Sequence, residues 1–319
     1  MAVLDTHAVD DADLPRAATS VQTDLSAPAR EPAAAARRRF GAVPPLVAFS
    51  FAWLAGMLLV AGLADVLAPY AYAQLDLKAR LAPPAFFGGT SAHWLGTDEL
   101  GRDVLSRLLH SVRISLLVAF ASTALSATIG VTLGLVAAHF RGWTEQAVLT
   151  LVDFQASMPF MIVALAVLAF FGNLLVLFVV LMGFHGWERS ARIARGLAIA
   201  ATEQGYAAAV TDLGASPWRV YGVHVLPNIA STLIVSVTLT FPEVILLESG
   251  LSFLGLGISP PTPDWGLMIH DGLSSIRSEP WLILAPALCI ATLVVGINFA
   301  TDGVSDALGL EAARGVAGH

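Results

Sequence analysis

The sequence contains few charged residues. They make up 13% of its 319 residues, whereas a soluble globular domain carries about 25%. Hydrophobic residues reach 56% and the mean hydropathy is +0.73. This composition excludes an ordinary soluble domain and predicts an all-α, multi-pass membrane protein. The net charge of −7 gives no reason to expect a nucleic acid partner.

Two scarce residue types exclude further classes of protein. The single cysteine, Cys289, excludes an internal disulfide and a cysteine-based zinc site. The single lysine, Lys78, does not lie in a Gly-x4-Gly-Lys-Ser/Thr phosphate loop, so we expect no ATP site of that type. The eight histidines are scattered, and neither a His-Glu-x-x-His nor a Gly-x-Ser-x-Gly motif occurs. The sequence therefore predicts no catalytic site, no metal site and no cofactor.

Six apolar runs predict six membrane spans. A helix that crosses the hydrocarbon needs about 20 residues, and the fourth run is shorter than this. The predicted spans are residues 45–68, 114–138, 147–171, 174–184, 229–253 and 281–300. The first run is longer than the apolar part of a signal peptide, about 7–15 residues, so we interpret it as an uncleaved anchor.

The arginine distribution predicts which side each loop faces. Arg37, Arg38 and Arg39 precede the first span, and a second cluster lies at 189–195, so these segments are predicted to be cytoplasmic. Both termini then lie inside. The predicted organisation is a disordered tail (1–40), a first span with a periplasmic segment (41–112), a transmembrane domain (113–305) with a cytoplasmic hairpin (203–228), and a C-terminal tail (306–319).

The hairpin is too polar to span and carries strong helix-end signals. Gly214 is predicted to end a first helix in the left-handed conformation. Ser216 is predicted to cap a second helix that starts at Pro217 and stops at Leu226-Pro227. The small side chains of Ala207, Ala208 and Ala209, with Asp212 and Ala215, would let another surface approach closely. That surface is either the chain's own helices or a partner.

Three acidic residues fall in or near predicted spans. A carboxylate near the middle of a membrane costs about 2.5–3.5 kcal/mol, so Asp153, Glu243 and Glu248 are candidates for lining a transport pathway. Glu243 follows Pro242, which is expected to kink the helix. The alternative is a buried polar contact, either between helices of the chain or with a partner subunit.

The segment before the second span carries charges at helical spacing. Asp98 with Arg102, and Asp103 with Arg107, form predicted i,i+4 pairs on an amphipathic helix. This outer segment either orients the second span or contacts a protein outside the membrane. Gly96, Thr97 and Gly101 complete the motif.

The stretch YAAAVTDLGASPWRVYGVHVLPN (206–228) resembles the EAA loop of ABC-importer permeases. Gly214, Leu226 and Pro227 match that pattern, whereas the position of its glutamate is taken by Ala208. Two further stretches, LGTDELGRDVLSRLLHSVRISL (95–116) and LLESGLSFLGLGISPPTPDWGLMI (246–269), resemble the C-type permease subunits of dipeptide/oligopeptide importers, a group that includes nickel, glutathione and opine transporters. The resemblance covers about residues 75–308.

This resemblance implies a type I ABC-importer permease fold in the bacterial inner membrane. It implies that ATP-binding subunits dock on the hairpin, that a second permease subunit completes the pathway within the lipid, and that an extracytoplasmic binding protein delivers the substrate. Peptides are the expected substrates, with nickel, glutathione, opines and small glycosides as alternatives. A self-contained secondary transporter is the alternative from another class.

Overall fold

The helices follow one another with short connections. A computed structural model describes residues 44–203, 210 and 213–307, so the predicted tail of residues 1–40 and residues 308–319 lie outside it. In these residues no strand occurs, and an isolated antiparallel bridge joins Thr97 to Asp103. The helices are α1 (Pro45–Leu67), α2 (Val104–Phe140), α3 (Gly142–Ser157), α4 (Phe160–Phe171), α5 (Leu175–Gly183), α6 (Trp187–Thr202), α7 (Pro217–Phe253), α8 (Trp265–Gly272) and α9 (Trp281–Ala307).

Four of these helices are long and apolar enough to cross a membrane, namely α1, α2, α7 and α9. They contain the first, second, fifth and sixth predicted spans. The third predicted span is a pair of helices, α3 and α4, which meet at an angle of 82° and make a fifth span if they are taken together. Pro159 explains the bend, because the residue before a proline is pushed out of the helical region and Met158 is extended (φ −85°, ψ 134°).

The prediction of six spans is not confirmed. The fourth predicted run forms α5, which has 9 residues and is too short to cross the hydrocarbon alone. The chain turns at Phe184–Gly186, where Gly186 is left-handed (φ +82°), and then enters α6. This helix carries arginines on one side and alanines on the other, so it packs on the bundle and does not extend the apolar run.

The central helix of the bundle is α2, which packs against α1, α5, α6 and α7. Its buried residues Val118 and Ala119 belong to the main apolar core, which α7 and α9 join through Ile245 and Leu293. A second apolar cluster packs α6 against the first half of α7, through Ala198 and Ile229 among others. The core therefore holds α6 and α7 on the same side of α2.

Two glycines allow the backbones of α2 and α6 to touch. A Cβ atom on Gly134 would lie 2.5 Å from the carbonyl oxygen of Ala191, and one on Gly130 would collide with the carbonyl oxygen of Trp187. The facing side of α6 also carries Ala194 and Ala198, both fully buried. Small residues are common between membrane helices, because the hydrophobic effect does not drive helix association within lipid and close packing must stabilise it instead.

Replacement of Gly134 by alanine is expected to destabilise the protein by about 1–3 kcal/mol, the usual cost of overpacking. The added methyl group would push α6 away from α2. Thermal unfolding in detergent measures this effect. The control is Gly196→Ala on α6, where an added Cβ would meet no atom within 4 Å, so the melting temperature should stay equal or rise. Equal losses for both variants would contradict the role of Gly134 in packing.

Candidate functional site

The hairpin bend has the left-handed glycine that the sequence predicts. Gly214 has a φ of +79°, and the N–H of Ala215 donates to the carbonyl of Val210 at 3.3 Å. A bond between these two positions on either side of a left-handed glycine is typical of a Schellman ending. An added Cβ at Gly214 would meet no atom within 4 Å, so the glycine is required by the backbone conformation and not by packing.

The second half of the hairpin differs from the prediction. Pro217 does occupy the first turn of α7, but the side chain of Ser216 makes no capping hydrogen bond. The predicted stop at Leu226-Pro227 is wrong, because α7 continues through both residues to Phe253. Residues Val220–Val225 form a π-helical turn, which is wider than an α turn and relieves the clash of a proline ring with the preceding carbonyl.

One side of the bend packs on the chain, and the residues on its other side are exposed to solvent. Ala215 packs on the second apolar cluster. Leu213 and Trp218, by contrast, are each 87% exposed, and Val223 is 60% exposed. The sequence analysis did not single out Leu213 and Trp218, although a tryptophan directly after Pro217 in a polar hairpin is a signal that could have been used. We call these three exposed apolar residues the bend surface (Leu213, Trp218 and Val223).

Ala207, Ala208, Ala209 and Asp212 lie outside the described residues, and their role in docking stays a prediction.

Three arginines at every third position of α6 contact acids on neighbouring helices. The pairs are Arg189 with Glu243 on α7 at 2.8 Å, Arg192 with Asp153 on α3 at 2.7 Å, and Arg195 with Glu145 on α3. These pairs lie along one side of α6 and largely neutralise each other. We call them the arginine ladder. The sequence analysis used these arginines for orientation only, because their acidic partners are distant in sequence.

The three candidate pathway acids have different surroundings. Glu248 is 1% exposed and lies between α7 and α2, where the hydroxyl of Ser115 donates to it at 3.4 Å. Asp153 is not buried, since its side chain is 70% exposed. Glu243 is partly exposed and paired with Arg189. The structure therefore separates Glu248, a contact between helices, from Glu243 and Asp153, which belong to the arginine ladder.

Where α2 begins and α7 ends, a largely buried charge network joins residues 98–107 to α8. Asp98 accepts from Arg102 at 2.6 Å, as the sequence predicts, and from Arg107 at 2.5 Å. Asp271 of α8 lies 3.3 Å from Arg102 and 3.4 Å from Arg107. The predicted pair of Asp103 with Arg107 is wrong, because Arg107 points to Asp98 and Asp271.

Asp103 instead caps α2. Its carboxylate accepts from the backbone N–H of Ser106 at 2.8 Å and from its hydroxyl at 2.7 Å, and lies 2.9 Å from Nδ1 of His93. A side-chain acceptor here satisfies N–H groups that the first turn leaves free. The predicted amphipathic helix therefore begins at Val104 and is continuous with the second span.

The rest of the outer motif folds tightly around this cap. Thr97 accepts from the N–H of Ala82 at 2.9 Å and donates to the carbonyl of Ala79. Gly101 has a φ of +73°, and an added Cβ would collide with the backbone of Asp76. At Gly96 the same atom would meet the carbonyl of Ala82. Because these groups are buried and satisfied within the chain, the motif favours the orienting role over contact with an outside protein.

Within the ranges described, no group of three or more histidine, cysteine, aspartate or glutamate side chains could hold a metal ion.

Comparison with known proteins agrees with these features. The family model described as "Binding-protein-dependent transport system inner membrane component" matches residues 130–309. The oligopeptide transport system permease protein OppC of Mycobacterium tuberculosis is 37% identical over 245 residues, which are 76% of this chain and 82% of the relative. The chain belongs to this family of ABC-importer permeases.

Two more relatives and one solved structure extend the comparison. The di/tripeptide transport system permease protein DppC of Pseudomonas aeruginosa is 36% identical over 76% of the permease and 80% of the relative. The glutathione permease protein GsiD of Pectobacterium atrosepticum is 35% identical over 69% and 73%. A chain of the inward-facing MetNI methionine ABC transporter has a TM-score of 0.53 at 19% identity, covering 64% of the permease and 96% of that chain, which supports the fold.

Replacement of Asp98 by asparagine is expected to destabilise the permease by about 3–5 kcal/mol, because Arg107 would lose its shortest partner in a buried site. Thermal unfolding of the purified protein measures the loss. The control is Asp65→Asn, which removes an exposed partner of Arg113 and should change the melting temperature little. A small effect of Asp98→Asn would contradict the bracing role of the network.

Proposed function

We propose that this permease forms half of a translocation pathway that carries di- and oligopeptides across the bacterial inner membrane. ATP hydrolysis in separate subunits drives transport. The relatives support peptides as the substrate class, since their names describe transport of oligopeptides, di- and tripeptides, and glutathione, and glutathione is itself a tripeptide. Each of them aligns with more than two thirds of this chain.

The observation that carries the proposal is the link between the bend surface and a membrane span. Leu213 and Trp218 are exposed beside Gly214, and α7 runs from Pro217 to Phe253 as one helix of 37 residues. A tryptophan exposed in this way is typical of the residues that dominate protein interfaces. An ATP-binding subunit that binds the bend surface would move α7 with it, because Trp218 lies in the first turn of α7.

A second permease subunit is proposed to face the arginine ladder. Charged side chains in membrane spans almost always face the interior of a bundle or a water-filled cavity. Arg189, Arg192, Asp153 and Glu243 are partly exposed in the single chain, so lipid cannot cover them favourably. A pathway between two permeases gives these groups a polar environment.

The lipid-facing surface lies elsewhere. On α1, Phe49, Leu58 and Val66 are exposed by 66%, 63% and 79%, and acyl chains suit such a surface. We propose that both termini and the bend lie in the cytoplasm, as Arg37, Arg38 and Arg39 before the first span predict. The second arginine cluster, at 189–195, does not carry this orientation, because its side chains pair with acids of α3 and α7 within the bundle. An extracytoplasmic binding protein would then deliver the peptide to the side that carries the buried charge network.

Replacement of Gly214 by valine is expected to reduce peptide uptake at least about tenfold. A β-branched residue is strained at a positive φ, so the bend would change shape and the ATP-binding subunit would lose its docking surface. The measurement is uptake of labelled trialanine by cells that express the permease with its partner subunits, together with co-purification of the ATP-binding subunit.

The control is Gly214→Asn, because asparagine tolerates the left-handed conformation, and this variant should retain most uptake. Trp218→Ala should lower co-purification of the ATP-binding subunit without changing the backbone. Normal uptake by Gly214→Val at normal protein levels would contradict docking at the bend. Failure of the unaltered complex to take up trialanine would contradict the peptide assignment, and failure to purify with any ATP-binding subunit would contradict the proposed docking.

A further inference from the structure

Two helix interruptions meet beside the arginine ladder. The first is the bend at Met158–Pro159, and the second is the break at Phe184–Gly186. They contact each other directly, since the amide of Gln155 donates to the carbonyl of Phe184 at 3.2 Å and the rings of Phe160 and His185 are 4.8 Å apart. Backbone carbonyls that leave the helical pattern are therefore concentrated at one place in the bundle.

The third element at this place is the middle of α7. Gly186 lies so close to α7 that an added Cβ would be 2.8 Å from the methyl group of Thr240. Pro242 follows one half-turn later and cannot donate to the carbonyl of Thr238. Glu243 comes next in sequence. The break at Phe184–Gly186 thus contacts Glu243 through His185, and the bend at Met158–Pro159 contacts that break.

A polar cluster occupies the point of convergence. Glu243 accepts from Arg189 at 2.8 Å, and Nε2 of His185 lies 3.9 Å from the other carboxylate oxygen. The side chains of Arg189 and Glu243 are 52% and 40% exposed. Glu243 lies about 15 Å from the end of α7 at Phe253, at 1.5 Å per residue. With the end of α7 taken as the boundary of a hydrocarbon core of ~30 Å, Glu243 lies about halfway across.

The surroundings of Glu243 and Arg189 differ from those of a lipid-facing surface and from those of a tightly packed core. Non-helical backbone at membrane depth is tolerated only where protein buries it or where it lines a water-filled cavity. Gly186 is buried, but Phe184 is 47% exposed, so this chain covers only part of the break. Transporters commonly place substrate sites near the middle of the membrane, where interrupted helices meet.

From this convergence we propose that Arg189, Glu243 and His185 form a contact site for zwitterionic peptides midway through the membrane. The amino terminus of the peptide pairs with Glu243, and its carboxyl terminus pairs with Arg189. Because these termini lie farther apart than the 2.8 Å between the two side chains, Arg189 and Glu243 separate when the peptide binds. A zwitterion replaces the internal ion pair by two ion pairs with the substrate, so no charge is left unpaired. A peptide with one blocked terminus would leave Arg189 or Glu243 without a partner. The site rests on the proposed function of the permease.

The test compares uptake of trialanine, N-acetyl-trialanine and trialanine amide by the complete transporter. Because the binding protein is the same in every strain, its own preference cancels when each rate is divided by that of the unaltered complex. Glu243→Gln is expected to lower trialanine uptake about tenfold, the scale of a lost charge-assisted hydrogen bond, while the acetylated peptide is affected much less. Arg189→Gln should instead spare the amide.

A matched control is Arg113→Gln, which removes another partly exposed ion pair, with Asp65 at 2.9 Å. It should leave the ratios among the three peptides unchanged. Equal losses for all three peptides in Glu243→Gln and Arg189→Gln would overturn the site and leave a structural ion pair. If the unaltered complex takes up no trialanine, the proposed function fails and the site fails with it.

A binding measurement accompanies the uptake assay. The only cysteine of the chain is Cys289, so Glu243→Cys on a Cys289→Ser background carries one thiol. In the assembled complex, a charged, membrane-impermeant thiol reagent is expected to label this thiol, and trialanine should slow the labelling several-fold. Absence of labelling, with crosslinking of the thiol to the second permease subunit, would overturn the site and indicate a subunit interface.

Discussion

The backbones of α2 and α6 touch at Gly130 and Gly134. The placement of the arginine ladder depends on that contact. It fixes α6 against the central helix of the bundle through the buried side of α6, including Ala191 and Ala194. The opposite side of α6 then turns its arginines toward α3 and α7. With larger residues at either glycine, α6 would move outward and the arginine ladder would lose its partners, because core packing responds even to a single methyl group.

The charge network near the start of α2 and the arginine ladder on α6 differ in how far their ion pairs are buried. In the network, Asp98, Arg102 and Arg107 are buried, and both arginines pair with Asp98 and with Asp271, which suits a rigid brace. Along α6 the ion pairs are partly exposed, and such pairs contribute little to stability. These ion pairs therefore add little to the stability of the fold. Between these regions α7 is continuous, so the movement that we propose at the bend surface would be transmitted along the helix.

Much of this arrangement follows from sequence patterns that act locally. The apolar runs gave α1, α2, α7 and α9, and Gly214 adopts the predicted left-handed conformation. Features that depend on distant residues were missed. Arg107 is paired with Asp271, and the link between Arg189 and Glu243 joins helices whose proximity no local pattern reveals. The helix continues through Pro227 because a π turn accommodates the ring, an outcome that the local stop signal alone does not predict.

The central claim is that an ATP-binding subunit docks on the bend surface and thereby moves α7. Leu213 is 87% exposed on that surface, and Leu213→Cys on a Cys289→Ser background introduces a single thiol there. A short bifunctional crosslinker applied to membranes that contain the working transporter is the most direct measurement. The account predicts a crosslinked product of the permease with the ATP-binding subunit, whose yield changes when ATP binds. A transporter that takes up peptide normally but gives no such product would contradict the account.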